Sequence, residues 1–281
     1  MDILTTVHDL RDRLRPHRQE GRSIGLVPTM GYLHEGHLSL MRRGRSENDV
    51  LVATIFVNPT QFGPNEDLDK YPRDPEGDAE KCRSAGVDIL FVPEPGEVYG
   101  PQFQTYVTVE RVSAPLCGAS RPGHFRGVAT VVLKLFNMVQ PTDAYFGGKD
   151  YQQVQVIKTM ARDLNLDVRI VECDTIREDD GLAMSSRNAY LSPDRRRQAV
   201  CLYEALMEAK GFFKNGANNA EHYLAAMRTR VNAEPDTEVD YISIVHPDTL
   251  EDLAEVGDKA LAILAVRIGS TRLIDNMLLH E

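Results

Sequence analysis

The chain reads as an α/β protein, a doubly wound parallel sheet followed by a second, smaller α+β domain, and three features predict this. Short β-rich apolar runs alternate with amphipathic helical stretches up to about residue 175, the grammar of βαβ units. One run, VLVATIFV at 50–57, is apolar throughout, as a central parallel strand covered on both faces must be. After Thr175 helices come first and strands follow, which fits a small domain with a mostly antiparallel sheet. The expected division is therefore 1–175 and 176–281.

Element by element, Ile24–Thr29 (IGLVPT) reads as a strand and 37–47 as the helix after it. Residues 75–85 open with proline and read as a helix, 88–92 as a strand, and 105–109 as a further short strand. The segment 127–139 (GVATVVLKLFNMV) is apolar nearly all round and too long for a typical strand, so it predicts a buried helix. Strands at 143–146 and 168–171 bracket a helix at 152–164. Ser192-Pro193, an N-cap followed by proline at the first helical position, opens one long helix over 192–213. A second helix covers 219–231, strands cover 239–245 and 260–266, and 272–279 closes the chain.

Composition narrows the function. With 281 residues, 42% hydrophobic and 26% charged, the chain has the profile of a globular protein with an enzyme-sized core, which excludes disordered and collagenous classes. The net charge of −10 opposes nucleic acid as a bulk partner, although a local cluster of donors can still hold a small phosphorylated ligand. Cys82, Cys117, Cys173 and Cys201 stand far apart without metal-ligand spacing, which argues against structural zinc. No apolar run approaches the roughly 20 residues that cross a bilayer, and the N-terminal segment lacks a secretory h-region. Together these predict a cytoplasmic protein without a membrane partner.

Four islands interrupt the periodic pattern where strands end. PTMGYLHEGH (28–37) places His34 and His37 at a helix start, where unpaired N–H groups favour anions, with Gly36 between them. Two imidazole donors there could neutralise charge developing in phosphoryl chemistry; a metal reading lacks a third ligand. FVNPTQF (56–62) offers the amides of Asn58 and Gln61 to a hydroxy acid, yet Asn-Pro is also a common turn signal. FGGKDYQQ (146–153) brings Gly147, Lys149 and Asp150 to a strand end without Walker A spacing, and a plain Gly-Gly turn with a solvated ion pair reads equally well. MSSRN (184–188) combines Ser185, Ser186 and Arg187 as a candidate phosphate clamp, or a polar linker. RPGHFRG (121–127) either joins an anion site or caps the buried helix.

Taken in chain order, PTMGYLHEGH, FVNPTQF, RPGHFRG, FGGKDYQQ and MSSRN closely resemble the pantothenate synthetase (pantoate–β-alanine ligase) family. VDYISIVHPDTL (239–250) and TRLIDN (271–276) extend the likeness to nearly the full chain. The H-x-G-H element alone is shared more widely among nucleotidylyl transferases and class I aminoacyl-tRNA synthetases. The resemblance implies a Rossmann-like N-terminal domain with a smaller C-terminal lid, a homodimer, and use of Mg2+. It implies a reaction in which pantoate attacks the α-phosphorus of ATP and the amine of β-alanine then displaces AMP from pantoyl adenylate.

By the same resemblance, His34 and His37 hold ATP phosphates and stabilise adenylation, and Lys149, Ser185, Ser186 and Arg187 grip the phosphates. Asp150 and the backbone near Gly147 meet the ribose, while Pro28, Met30 and Met184 complete the ATP set. Gln61 and Gln153 hydrogen-bond pantoate, supported by the Met30 backbone and Asn58, and Arg121 and His124 are candidates for the β-alanine carboxylate. The metal ligands stay unknown. Two rivals are open at this stage: a nucleotidylyl transferase with a phosphorylated acceptor, which the glutamine islands disfavour, and a non-catalytic nucleotide sensor, which the intact His34, His37 and Lys149 disfavour.

Overall fold

The structure, a computed structural model, describes residues 1–64 and 66–280. In chain order the larger elements begin with β1 (Asp2–Leu4), α1 (Val7–Gln19), β2 (Ile24–Thr29), α2 (Glu35–Glu47), β3 (Val50–Ile55), α3 (Pro75–Ser84) and β4 (Ile89–Phe91). Next come α4 (Pro95–Val98), α5 (Cys117–Ser120), α6 (His124–Val139), β5 (Asp143–Gly147), α7 (Tyr151–Asp163) and β6 (Arg169–Cys173). The chain ends with α8 (Pro193–Gln198), α9 (Cys201–Lys214), α10 (Ala220–Asn232), β7 (Thr237–Val245), β8 (Lys259–Ile268) and β9 (Thr271–His280). Among the described residues no helix is long and apolar enough to cross a membrane.

The residues cluster into two compact units. The first comprises Met1–Ser113, Arg121–Gly148 and Gln153–Asp174; the second comprises Ala114–Ser120, Lys149–Gln152 and the chain from Thr175 onward. In the first unit six strands form a wholly parallel sheet in the order β1-β4-β3-β2-β5-β6. From β2 the chain moves outward through β3 and β4, then returns to lay β5 on the other side of β2. The reversal point therefore lies between β2 and β5, which pair at Gly25↔Asp143 and Leu26↔Ala144. Ligands of open α/β sheets bind beyond the strand ends at such a reversal, and here β2 delivers residues 30–34 to that edge while β5 delivers Gly147.

Strand periodicity explains how both faces are covered. Val27, Leu51, Ala53, Leu90, Tyr145 and Val171 share one core with Leu40 and Met41 of α2 and Ala79 and Cys82 of α3. Their neighbours Leu26, Val52 and Ala144 are also buried and point to the opposite face, where α1 and α6 pack together. Nearly every position of α6 is buried, as its apolar sequence requires, and the helix starts at His124 so that HFRG forms its first turn.

Two expectations fail. Residues 105–109 form no strand: β-propensity needs a ladder partner, whereas the Val107 amide donates to the Thr130 hydroxyl of α6 at 3.0 Å and Tyr106 lies under the Arg126 guanidinium. The long helix at 192–213 is instead α8 and α9, separated at Ala199–Val200, where bonds from Val200 N to Arg197 O and Leu202 N to Ala199 O tighten the turn. That tightening accompanies the complete burial of Ala199 and Cys201. The short edge strand β1, on β4, escaped the sequence reading because three residues carry no measurable period.

In the second unit β7, β8 and β9 form an antiparallel sheet. Leu202 and Leu206 of α9 and Tyr223 and Met227 of α10 share its core with Ile242, Ile244, Leu264 and Val266.

One close approach connects the first unit's core to its loops. A Cβ on Gly127 of α6 would run into the Thr60 carbonyl and come within 2.7 Å of Gln61 N, backbone that no rotamer change can move. Gly127→Ala is therefore expected to cost about 1–3 kcal/mol. Urea denaturation measures this, and wild-type stability would show that the loop yields without loss.

Candidate active site

The turn from β2 into α2 accounts for its backbone donors in sequence. Gly31 (φ +85°) and Tyr32 (φ +51°) are both left-handed, a conformation uncommon for a residue with a side chain. Gly31 N donates to the Thr29 hydroxyl at 3.2 Å, and that hydroxyl donates to Thr54 O at 2.7 Å. Tyr32 N and Leu33 N each donate to one oxygen of the Asp78 carboxylate, both at 2.7 Å. Asp78 is 1% exposed and lies on the buried stripe of α3 with Ala79 and Cys82. Sequence reasoning missed it, although a carboxylate on an apolar stripe was the available signal.

His34 is the N-cap of α2, and the two imidazoles cap reciprocally. His34 Nδ1 accepts from Gly36 N at 3.2 Å while His37 Nδ1 accepts from His34 N at 3.3 Å. Imidazoles thus take the places that Ser or Thr and Glu or Gln hold in a capping box. With Nδ1 engaged as an acceptor, each neutral ring carries its proton on Nε2. The ring centroids are 4.1 Å apart, so the two donor ends serve one small region at the positive end of a 13-residue helix.

Beyond β3, Asn58 is 1% exposed and fully committed. Its Oδ1 accepts from Tyr99 OH (2.7 Å), Thr60 Oγ1 (2.9 Å) and Thr60 N (3.3 Å), while its Nδ2 donates to Gln61 Oε1 (3.1 Å) and Gly127 O (3.2 Å). Gln61 Nε2 reaches Met30 Sδ at 3.2 Å. Asn58, Gln61 and Met30 are therefore brought together, with Asn58 orienting the Gln61 amide.

Arg121 and His124 hold the backbone of the same loop. His124 Nδ1 lies 2.9 Å from Gln61 O, a pure acceptor, so Nδ1 carries the proton and Nε2 accepts from Arg121 Nη1 at 3.1 Å. The Arg121 fork is bidentate to Glu66, at 2.7 and 2.5 Å. Burial alone would raise the Glu66 carboxyl, but the Arg121 hydrogen bond and charge outweigh it and bring the group from 4.5 to about 2.

The remaining candidates divide between the units. Pro28 sits in β2 opposite Thr54, Gly147 ends β5, and Gln153 lies in the first turn of α7 in the first unit. The second unit carries Lys149, half-buried and 3.8 Å from Asp150. It also carries the 184–187 segment: Met184 N donates to Ile176 O, and Ser185 caps a 3-10 turn by accepting from Arg187 N at 3.2 Å. Ser186 is buried. The buried Gln152 was passed over for its neighbour; it bridges Pro115 O and Cys117 N, fixing the start of α5. All four cysteines are buried and unpaired by disulfides, and burial pushes the Cys82 and Cys201 thiols up to about 12, too high for a nucleophile at neutral pH.

The fold and this geometry define a parallel α/β enzyme with paired histidines capping the helix at its sheet reversal. The sequence profile of the pantoate-beta-alanine ligase family matches residues 2–278, and the chain belongs to that family. It is 53% identical over 280 residues to the pantothenate synthetase of Acetivibrio thermocellus, covering all of both chains. It is 54% identical to that of Syntrophotalea carbinolica, covering 100% of this chain and 99% of the other. The pantothenate synthetase structure from Thermus thermophilus superposes with a TM-score of 0.96 at 48% identity, over the whole of both chains. A pantoate-beta-alanine ligase from Francisella tularensis, described as complexed with beta-gamma ATP and beta-alanine, has a TM-score of 0.82 at 35% identity, covering 99% of this chain and 97% of that one.

Two outcomes test this architecture. Asp78→Ala strands the buried Tyr32 and Leu33 donors and is expected to destabilise the chain by about 1–3 kcal/mol; an unshifted denaturation midpoint would show that the carboxylate does not hold the turn. The depressed Glu66 group contributes stability that is present above about pH 4.5 and lost as the pH falls toward 2. The stability difference between wild type and Glu66→Gln, on the order of 1–2 kcal/mol at pH 7 after solvent screening, should shrink over that interval. A difference that stays constant from pH 7 to 3 would show that the Arg121 pair adds nothing.

Proposed function

We infer that the chain condenses pantoate with β-alanine, using ATP, to give pantothenate, AMP and pyrophosphate. In the first step a pantoate carboxylate oxygen bonds to the α-phosphorus and pyrophosphate leaves with its electron pair. In the second, the β-alanine amine bonds to the acyl carbon, the C–O bond to AMP breaks, and the amine proton passes to solvent. A carboxylate is a poor electrophile at neutral pH, and joining it to AMP supplies the leaving group.

The observation that carries this reading is the reciprocal capping of His34 and His37, which makes both Nε2 atoms donors at a helix start. Donors fixed before the reaction stabilise charge on a transferring phosphorus without reorganising. The Met30–Gln61–Asn58 cluster beside the same strand ends supports pantoate recognition, since Gln61 is held for a hydroxyl or carboxylate partner. Gln153 would complete that contact. Lys149 supplies a point charge and Arg187 a fork for phosphates, with Ser185 and Ser186 as hydroxyl donors; Asp150 and the Gly147 backbone would meet the ribose. Arg121 would serve β-alanine through its charge, and His124 through its hold on the Gln61 backbone.

Among the described residues no group of three or more His, Cys, Asp or Glu side chains could cage a metal. In this reading Mg2+ enters with the ATP phosphates, as it commonly does where the protein supplies few ligands of its own. In this reading residues 1–175 bind nucleotide and pantoate, 176–281 form a lid, and the enzyme is a cytoplasmic homodimer.

Labelled pyrophosphate should enter ATP when enzyme, Mg2+ and pantoate are present and β-alanine is absent. His34→Ala and His37→Ala should each slow that exchange by about 10²- to 10³-fold. Exchange that ignores pantoate, or that requires β-alanine, would overturn the two-step reaction.

A further inference from the structure

The dipeptide Asp275-Asn276 lies on β9, outside the set assigned to substrates, yet one side of it meets each phosphate-binding segment of the second unit. Asp275 is 1% exposed and accepts a bidentate pair from Arg177, Nη1 to Oδ2 at 2.6 Å and Nη2 to Oδ1 at 3.0 Å. Arg177 also donates to Gly181 O at 3.0 Å and to Asn276 O at 3.3 Å, and its guanidinium stacks 4.9 Å from the Tyr203 ring centroid. An unpaired charge in this position would be costly to bury, so the pair holds Arg177 in one place.

Arg177 belongs to the hairpin that delivers Met184–Arg187. It bridges Ala183 in antiparallel fashion, Glu178 N donates to Leu182 O, and Asn188 Nδ2 ties the far side to Glu178 Oε1 at 2.8 Å and Ala183 O at 3.2 Å. On its other side, Asn276 Nδ2 donates to the backbone carbonyl of Lys149 at 2.9 Å. Asn276 N in turn donates to Asp275 Oδ1 at 2.8 Å. A continuous hydrogen-bonded chain thus runs from the 176–188 hairpin through Arg177, Asp275 and Asn276 to Lys149.

We propose that Asn276 is a positioning residue that sets Lys149 for the ATP phosphates, and that the Arg177–Asp275 pair holds Lys149 in register with Ser185–Arg187. The assignment rests on the reading of Lys149 as a phosphate ligand. It explains why two consecutive polar residues of β9 are buried: as strand neighbours they face opposite ways, and the carboxylate and the amide serve two different loops.

The experiment is a double-mutant cycle read by calorimetric titration with ATP alone, together with KM values for ATP and pantoate in the full reaction. Asn276→Ala is expected to weaken ATP about 3- to 30-fold and to leave the pantoate KM within about twofold. In a Lys149→Ala background the same substitution should change ATP affinity by less than about twofold, because the interaction it acts through is already gone. Asn276→Leu, which keeps the branched shape and removes the donor, is expected to show the same selective loss of ATP affinity and supplies the test if Asn276→Ala does not fold. Equal losses for both substrates, an unchanged ATP affinity, the same loss with and without Lys149, or failure of both variants to fold would each overturn the proposal. Wild-type enzyme lacking pantoate-dependent pyrophosphate exchange would instead sink the functional reading, so the two failures are distinguishable.

Discussion

The carboxylate of Asp78 is the constraint on which the turn from β2 into α2 depends. The chain must leave β2 and start α2 within five residues, and it does so through two consecutive left-handed residues. That turn points the Tyr32 and Leu33 amides inward, where no strand can pair them. Successive N–H groups in such a turn form a concave anion site, and here the anion is internal, supplied by α3. With it in place the helix start is fixed, and the two imidazoles can cap each other instead of recruiting a serine or glutamate.

The same logic governs the neighbouring loop. Asn58 spends both ends of its amide on protein partners, and Gly127 lets α6 come against the backbone of Thr60 and Gln61. The loop after β3 is therefore held by buried amide bonds on one side and by the Arg121–Glu66 pair and His124 on the other. In the proposed function such a loop would meet pantoate with the Gln61 amide already oriented, which limits the entropy lost on binding. Buried networks of this kind are costly if any member is left unsatisfied, and this one consists of hydrogen bonds to backbone as much as to side chains.

Electrostatics shows how a chain of net charge −10 can still handle ATP. Many basic side chains are neutralised by local carboxylates, as with Arg177 and Asp275 or Arg169 and Asp143. The donors that the proposed function directs at phosphates are instead helix-start imidazoles, a lysine whose aspartate partner stands 3.8 Å away, and a capped 3-10 turn. Local geometry decides the field at short range, while the overall sign acts mainly on distant polyanions.

By itself the sequence determined the layered architecture, because apolar runs and helical periods report on burial wherever an element is long enough to show a period. It also marked His34, His37, Gln61, Lys149 and Ser185–Arg187 as candidates, since polar, small and basic residues interrupt the pattern there. Tertiary structure alone decided the rest. Residues 105–109 carry strand propensity but find no ladder partner, and the 192–213 helix breaks where core burial tightens its turn. Asp78, Asn276 and Gln152 act through backbone groups 35 or more residues away in the chain. Such pairings follow from the sheet order and from which helix lands beside which loop, and no local pattern in the chain encodes them.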